Sequence, residues 1–163
     1  MKSDLSKGAR RVQEFMAARG FSFVVQELPG STRTAQEAAD SIGCKVSQIA
    51  KSLIFKEKKT GRPILVIASG SNQVDLKKIT AGTGLKLGRA DADFVKAQVG
   101  YAIGGVPPVG HNEPLETLLD PDLKNFDVIW AAAGSPFAVF KLKPADLDQL
   151  TRGKWIDLAQ AAQ

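Results

Sequence analysis

SLIFKEKKTGRPILVIAS, residues 52–69, is the stretch whose reading decides the fold. Two runs rich in β-branched and aromatic residues, SLIFKE and PILVIAS, flank a charged segment that contains Gly61, and this arrangement predicts an antiparallel hairpin with both strands reaching the core. The elements around it alternate in type. Upstream, Leu5, Val12, Phe15 and Met16 recur at helical spacing up to Gly20, FSFVVQEL (21–28) reads as a strand, and Thr34 opens TAQE, a capping-box pattern before a short helix towards Gly43. A second short helix is expected over 46–50.

Downstream, Asp75 caps a helix through Ile79, LKLG (85–88) is a brief strand, and Asp91 caps a helix through Gln98. ETLLD (116–120) reads as a strand and PDLKNF (121–126) as one helical turn, with Pro121 at its start. DVIWAAAG and FAVFKL form a strand pair around residues 134–136, followed by a helix over 144–150 and an edge segment at WIDL. Short strands interrupted by helices give an α+β fold. With no Pro, Gly or Ser-rich linker and no solenoid repeat, residues 1–163 are expected to form a single domain.

The chain is 163 residues long, 44% hydrophobic and 24% charged, which suits one core and argues against disorder. Its start is charged and amphipathic, no apolar run approaches a membrane span, and the lone Cys44 fits a reducing compartment, so a cytoplasmic protein without membrane contact is expected. The net charge of +5 is spread over several elements, permitting a polyanionic partner without demanding one. One histidine and one cysteine leave no His/Cys zinc site, and no metal or cofactor is expected. GTGLKLG (82–88) has the wrong spacing for a dinucleotide fingerprint, and neither a phosphate-binding P-loop nor a GxSxG elbow occurs.

Chemistry therefore falls on VGYAIGGVPPVGH, residues 99–111. Pro107 and Pro108 fix their own φ and bias their predecessors to extended geometry, while Gly104 and Gly105 admit positive φ and close approach to the main chain. The loop reads either as a tight crossing or as a rigid cradle of N–H groups for an anion or oxyanion. His111, the sole imidazole, is either an acid, base or donor, or a packed ring. Lys51, at the mouth of SLIF, either holds a phosphate or carbonyl oxygen or snorkels from a strand end.

Taken in order, TAQEAADSIGCKVSQIAKSLIFK (34–56), PILVIASGSNQVDLKKI (63–79), GYAIGGVPPVGH (100–111) and DVIWAAAGSPFAVFKLKPADLDQLT (127–151) resemble the YbaK/EbsC family. These are free-standing relatives of the editing insertion domain of prolyl-tRNA synthetase, and the similarity runs from about Glu14 to the C terminus. The resemblance implies a mixed, mostly antiparallel curved sheet or barrel flanked by helices. It implies a trans-acting aminoacyl-tRNA deacylase that cuts the ester of mischarged tRNA, with tRNA for proline carrying alanine, serine, threonine or cysteine as the substrate class.

The family lysine falls on Lys51 and the family GxxxP loop on Gly104 to Pro108, so Lys51, Gly104, Gly105 and His111 are the implied catalytic set. Lys51 would hold the phosphate or ribose end, main-chain N–H groups of Gly104 and Gly105 would meet the oxyanion, and His111 or a substrate hydroxyl would position water. Thr32, Arg33, Thr34, Val106, Pro107, Pro108, Gly134 and Ser135 are the implied substrate contacts. Val106 and Pro107, followed by Gly110 and His111, depart from the pattern of members that remove cysteine, which weighs against that substrate. The implied partners are the acceptor end of mischarged tRNA and prolyl-tRNA synthetase. Two alternatives stand beside this reading: a module that grips an acceptor end or a synthetase without catalysis, and hydrolysis of a small ester without tRNA.

Overall fold

Residues 5–161 are described by a computed structural model; residues 1–4, part of the charged start of the chain, and 162–163 lie outside it. α1 (Lys7–Ala18) is capped by Ser6 and buries Ala9, Val12 and Met16. β1 (Val25–Glu27) is shorter than FSFVVQEL suggests, because the Gln13 amide takes the Val25 N–H and donates to the Phe23 carbonyl. The strand ladder therefore begins only at Val25. α2 (Ala35–Ile42) starts on Thr34, whose hydroxyl accepts the Glu37 N–H, and ends at Gly43.

The helix expected over 46–50 is instead a single 3-10 turn, Val46–Gln48, giving way to β2 (Ile49–Glu57). Pairing of Ile49 and Ala50 with a neighbouring strand holds them extended, against the few hydrogen bonds a one-turn helix offers. β3 (Pro63–Ser69) runs antiparallel to β2, from Ala50 opposite Ser69 to Lys56 opposite Pro63, so the hairpin forms as read. Its turn is organised by the buried Glu57 carboxylate, which accepts N–H bonds from Lys59, Thr60 and Lys86. Burial alone would push this carboxyl up, but the N–H donors of Thr60, Lys86 and Lys59 together hold it below the usual range.

α3 (Leu76–Thr83), β4 (Leu87–Arg89), α4 (Ala92–Val99), β5 (Glu116–Leu119), a 3-10 turn at Pro121–Asn125, β6 (Ile129–Ala132), β7 (Ala138–Leu142), α5 (Asp146–Thr151) and β8 (Lys154–Trp155) follow. The strands form one sheet in the order β1-β7-β6-β2-β3-β5-β8, with β4 also on β2. Ladders β1/β7, β6/β7, β2/β3 and β2/β4 are antiparallel; β2/β6, β3/β5 and β5/β8 are parallel. Among the described residues this mixed α+β sheet is flanked by helices and does not close, so the expected sheet forms and the barrel alternative does not.

Alternation along β3 sets the two faces. Leu65 and Ile67 pack with Val12 and Met16 of α1, Val95 and Val99 of α4, and Phe140; Ile64, Val66 and Ala68 pack with Ile79 of α3, Leu118 and Leu158. Helices thus cover both faces, which is why PILVIAS is continuously apolar. Each fully buried aliphatic side chain contributes roughly 1.5–3 kcal/mol.

One discontinuity matters for function. β3 occupies one edge of β2, while the other edge is shared by β6, only at Ile49 and Ala50, and β4, only from Phe55. Between them, residues 51–54 of β2 have no strand partner on that edge among the described residues. The sheet is split there, beside the carboxyl ends of the parallel β2/β6 contact, the kind of position where sheets of this type open a crevice.

Candidate active site

A cavity of about 670 Å³ occupies this split. Lys51, Ser52 and Leu53 of β2 form its floor, with Thr32, Arg33 and Thr34 from the loop before α2, Ile103, Gly104 and Val106 from the glycine-proline loop, and Trp130 of β6 around it. The volume is in the range of about 300–1,000 Å³ that small-ligand sites occupy.

Lys51 is two residues inside β2 and not at its mouth. Its Nζ donates to the Asn72 carbonyl at 2.6 Å and more weakly to that of Gly70 at 3.5 Å. Burial pushes its pKa below the ordinary lysine value, and the Asp120 carboxylate opposes this. Asp120 is buried and organises the neighbourhood: it accepts the Ser69 N–H at 3.0 Å, the Asn72 side-chain N–H at 2.8 Å and the Asp122 N–H at 3.0 Å. Asn72 therefore links Asp120 to the carbonyl that receives Lys51.

In the glycine-proline loop, the Gly105 N–H donates to the Ala102 carbonyl at 3.0 Å, closing a turn with Ile103 and Gly104 at its centre. Gly104 has φ 92°, the positive value required at the third position of a type II turn, and a Cβ there would meet the Arg33 backbone at 3.3 Å. Its N–H has no partner among the described residues. The expectation of two free main-chain donors is thus corrected to one, because the Gly105 N–H is used within the turn. Gly105 lacks a side chain for another reason: a Cβ would lie 3.1 Å from the Ser135 backbone.

The remaining residues named from the sequence stand behind the cavity wall. Pro107 and Pro108 are buried in the anchored half of the loop. The Gly134 N–H donates to the Gly105 carbonyl at 2.9 Å, and the Ser135 hydroxyl accepts the Phe137 N–H at 3.2 Å, so the β6–β7 turn props the loop from outside. His111 does not line the cavity. Its Nε2 is 2.6 Å from the Pro107 carbonyl, and since a carbonyl only accepts, Nε2 carries the proton. Burial pushes the imidazole below its usual pKa; the Pro107 carbonyl acts upward and Arg11 downward. Tyr101 meets the ring edge-on and donates to the Gly110 carbonyl, with Arg11 stacked over its face.

Sequence reasoning missed Asp120, Asn72, Ser52 and Trp130. Only Asp120 carried a local signal, as the residue before Pro121, and that signal pointed to capping alone. Among the described residues no cluster of three His, Cys, Asp or Glu side chains is placed to hold a metal ion, and no helix is long and apolar enough to cross a membrane.

Lys51 and Gly104, whose main-chain N–H is unpartnered among the described residues, line one cavity in a split mixed sheet, and an ammonium and a main-chain N–H are both groups that can meet an anion or oxyanion. The chain belongs to the aminoacyl-tRNA editing domain family, which it matches over residues 30–150, and to its YbaK/EbsC group. It is 36% identical over 137 residues to YwhH of Bacillus subtilis, covering 83% of this chain and 87% of that one. It is 28% identical over 126 residues to EbsC of Enterococcus faecalis, named as a candidate Cys-tRNA(Pro)/Cys-tRNA(Cys) deacylase, covering 77% and 76%. A crystal structure described as a candidate trans-editing enzyme for prolyl-tRNA synthetase superposes with a TM-score of 0.90 at 46% identity, over 97% of this chain and 100% of the other.

Proposed function

We propose that this protein is a trans-acting aminoacyl-tRNA deacylase of the cytoplasm, hydrolysing the ester of tRNA for proline mischarged with a small amino acid: alanine, serine, threonine or cysteine. The observation that carries the reading is that Lys51 and Gly104, whose N–H is unpartnered among the described residues, line the same cavity. In this reading the terminal nucleotide enters along Arg33 and Lys51, whose positive charges suit a phosphate or ribose end. Water oxygen adds to the ester carbonyl carbon, and the developing oxyanion is met by the Gly104 N–H. Collapse breaks the bond to the ribose oxygen, which takes up the proton released by the water. Gly105, Pro107, Pro108, His111, Gly134 and Ser135 act as positioning residues that hold Gly104 in place; Thr32, Thr34 and Val106 meet the substrate.

The test is a panel of tRNAs charged with proline, alanine, serine, threonine and cysteine, followed by release of the amino acid. Selective release of small non-cognate residues is expected, with or without added prolyl-tRNA synthetase. Binding of the acceptor end without turnover across the panel would instead support the non-catalytic module.

A further inference from the structure

We infer that the basic tip of the β2–β3 hairpin, together with Lys86 and Arg89 beside it, is a docking surface for the phosphate backbone of an RNA duplex, and that it seats the first base pairs of the acceptor stem while the ester lies at Lys51. This rests on the deacylase reading and adds to it a contact outside the main cavity. A smaller cavity of about 290 Å³ continues from the larger one, sharing Ser52, Leu53, Ile103 and Val106, and follows the open edge of β2 to Phe55 and Arg89. Arg89 is exposed and pairs with Phe55, so it stands where this groove reaches the hairpin end.

Beyond it lie Lys56, Lys58, Lys59 and Lys86, all exposed. The fold gathers them. The Lys58 N–H donates to the Lys86 carbonyl at 2.8 Å, and the Lys58 side chain crosses β4 at Gly88, where a Cβ would meet its Cε at 3.2 Å. Glu57, the acid among these lysines, is buried and spends its carboxylate on the N–H groups of Lys59, Thr60 and Lys86. Among the described residues none of the five basic side chains forms an ion pair, whereas Arg62, which is close by in the chain, is held by Glu116 at 2.8 Å. Asp91 and Asp93 follow Arg89, and Asp91 accepts the Phe94 N–H. The other end of the larger cavity, where α2 packs on Ile49 and Trp130, has the opposite character: residues 34–44 contain Glu37 and Asp40 and no lysine or arginine. A polyanion is therefore favoured on the hairpin side.

The lengths agree with this direction. At about 3.3 Å per residue along β2, Arg89, level with Phe55, is about 13 Å from Lys51, and Lys56 is about 17 Å from it. Stacked at about 3.4 Å per nucleotide, the roughly four unpaired nucleotides of an acceptor end span about 14 Å. The duplex then begins at the level of Arg89, and the lysines beyond it meet its phosphates.

The experiment follows hydrolysis by the full chain of one small aminoacyl ester, carried either on whole tRNA or on a trinucleotide with the same terminal sequence and no stem. It compares the wild type with Lys58→Gln/Lys86→Gln/Arg89→Gln and with Lys7→Gln/Lys143→Gln/Lys154→Gln, which removes the same charge from other exposed positions. On whole tRNA the hairpin variant should lose roughly tenfold to a hundredfold in kcat/KM, through KM with kcat kept, and its log-log salt slope should be shallower by about 2–3, near one per contact. On the trinucleotide it should match the wild type, and the control variant should match it on both substrates. Wild-type kcat/KM and salt slope for the hairpin variant on whole tRNA, an equal loss on the trinucleotide, or an equal loss in the control variant would overturn the docking surface and leave the deacylase reading standing. A loss seen only with prolyl-tRNA synthetase added would overturn it too, assigning the surface to a protein. Failure of the wild type to cleave either ester would overturn the deacylase reading, and this one with it.

Discussion

Replacing Asp120 by asparagine exchanges one carboxylate oxygen for an NH₂ group where three N–H donors converge. Oδ2 accepts from Ser69 N and Asn72 Nδ2, and Oδ1 from Asp122 N. Whichever way the amide turns, its NH₂ faces at least one donor: the Asp122 N–H in one orientation, the Ser69 and Asn72 donors in the other. Asp120 is only 1% exposed, so water does not fill the gap. One buried donor left unmade costs about 1–3 kcal/mol. At about 2–4 °C per kcal/mol for a chain of this size, the melting temperature should fall by roughly 2–12 °C. A second effect reaches the site. The Asp120 charge opposes the larger downward push of burial on Lys51, so its removal lets the lysine lose its proton at lower pH. After subtraction of uncatalysed ester hydrolysis, the alkaline limb of kcat/KM should therefore move to lower pH in Asp120→Asn. An unchanged melting temperature together with an unmoved alkaline limb would refute the role given to this network.

Gly105→Ala places a Cβ 3.1 Å from the Ser135 backbone, forcing the loop from the β6–β7 turn, and should cost about 1–3 kcal/mol in urea denaturation and lower kcat/KM as Gly104 moves with it. Wild-type values for both would contradict the close approach. His111 has a folded pKa below its unfolded value of about 6.5, so its contribution is present above that pH and lost as pH falls through the folded pKa. His111→Gln should accordingly be destabilised near pH 7.5 by a margin that narrows under acid; a widening margin would reverse the sign of the argument. Glu57 also has a depressed pKa, so the stability deficit of Glu57→Gln, followed by denaturation from pH 7 to 3, should shrink as pH falls through the folded carboxyl value. A deficit independent of pH would show that the carboxylate charge is not what holds the hairpin turn.

Features written locally in the chain were legible. The hairpin over 52–69, the caps at Thr34, Asp75 and Asp91, and the strand pair around Gly134 each depend on residues within a few positions, and each forms. Features that depend on distant partners were not. The parallel contact of β2 with β6 fixes Ile49 and Ala50 as strand, and the Gln13 amide delays β1 to Val25. The same distinction runs through the site. Lys51 and Gly104 were named from motif positions and both line the cavity, but the orientation of the loop is set by contacts with Ser135, Gly134 and Arg33. Gly105, held against Ser135 and Gly134, is not among the cavity-lining residues, nor is His111, which packs on the Pro107 carbonyl and Tyr101. Ser52 was hidden because nothing adjacent in sequence reveals that β2 lacks a partner on one of its two edges there.

The most direct test of the account is single-turnover hydrolysis of a tRNA mischarged with a small amino acid by the wild type and by Lys51→Ala, with thermal melting to verify that both are folded. The account predicts a folded variant whose rate falls by roughly 10²–10³-fold, the scale of losing a fixed electrostatic contact in a closed site. A folded Lys51→Ala protein that releases the amino acid at the wild-type rate would contradict it.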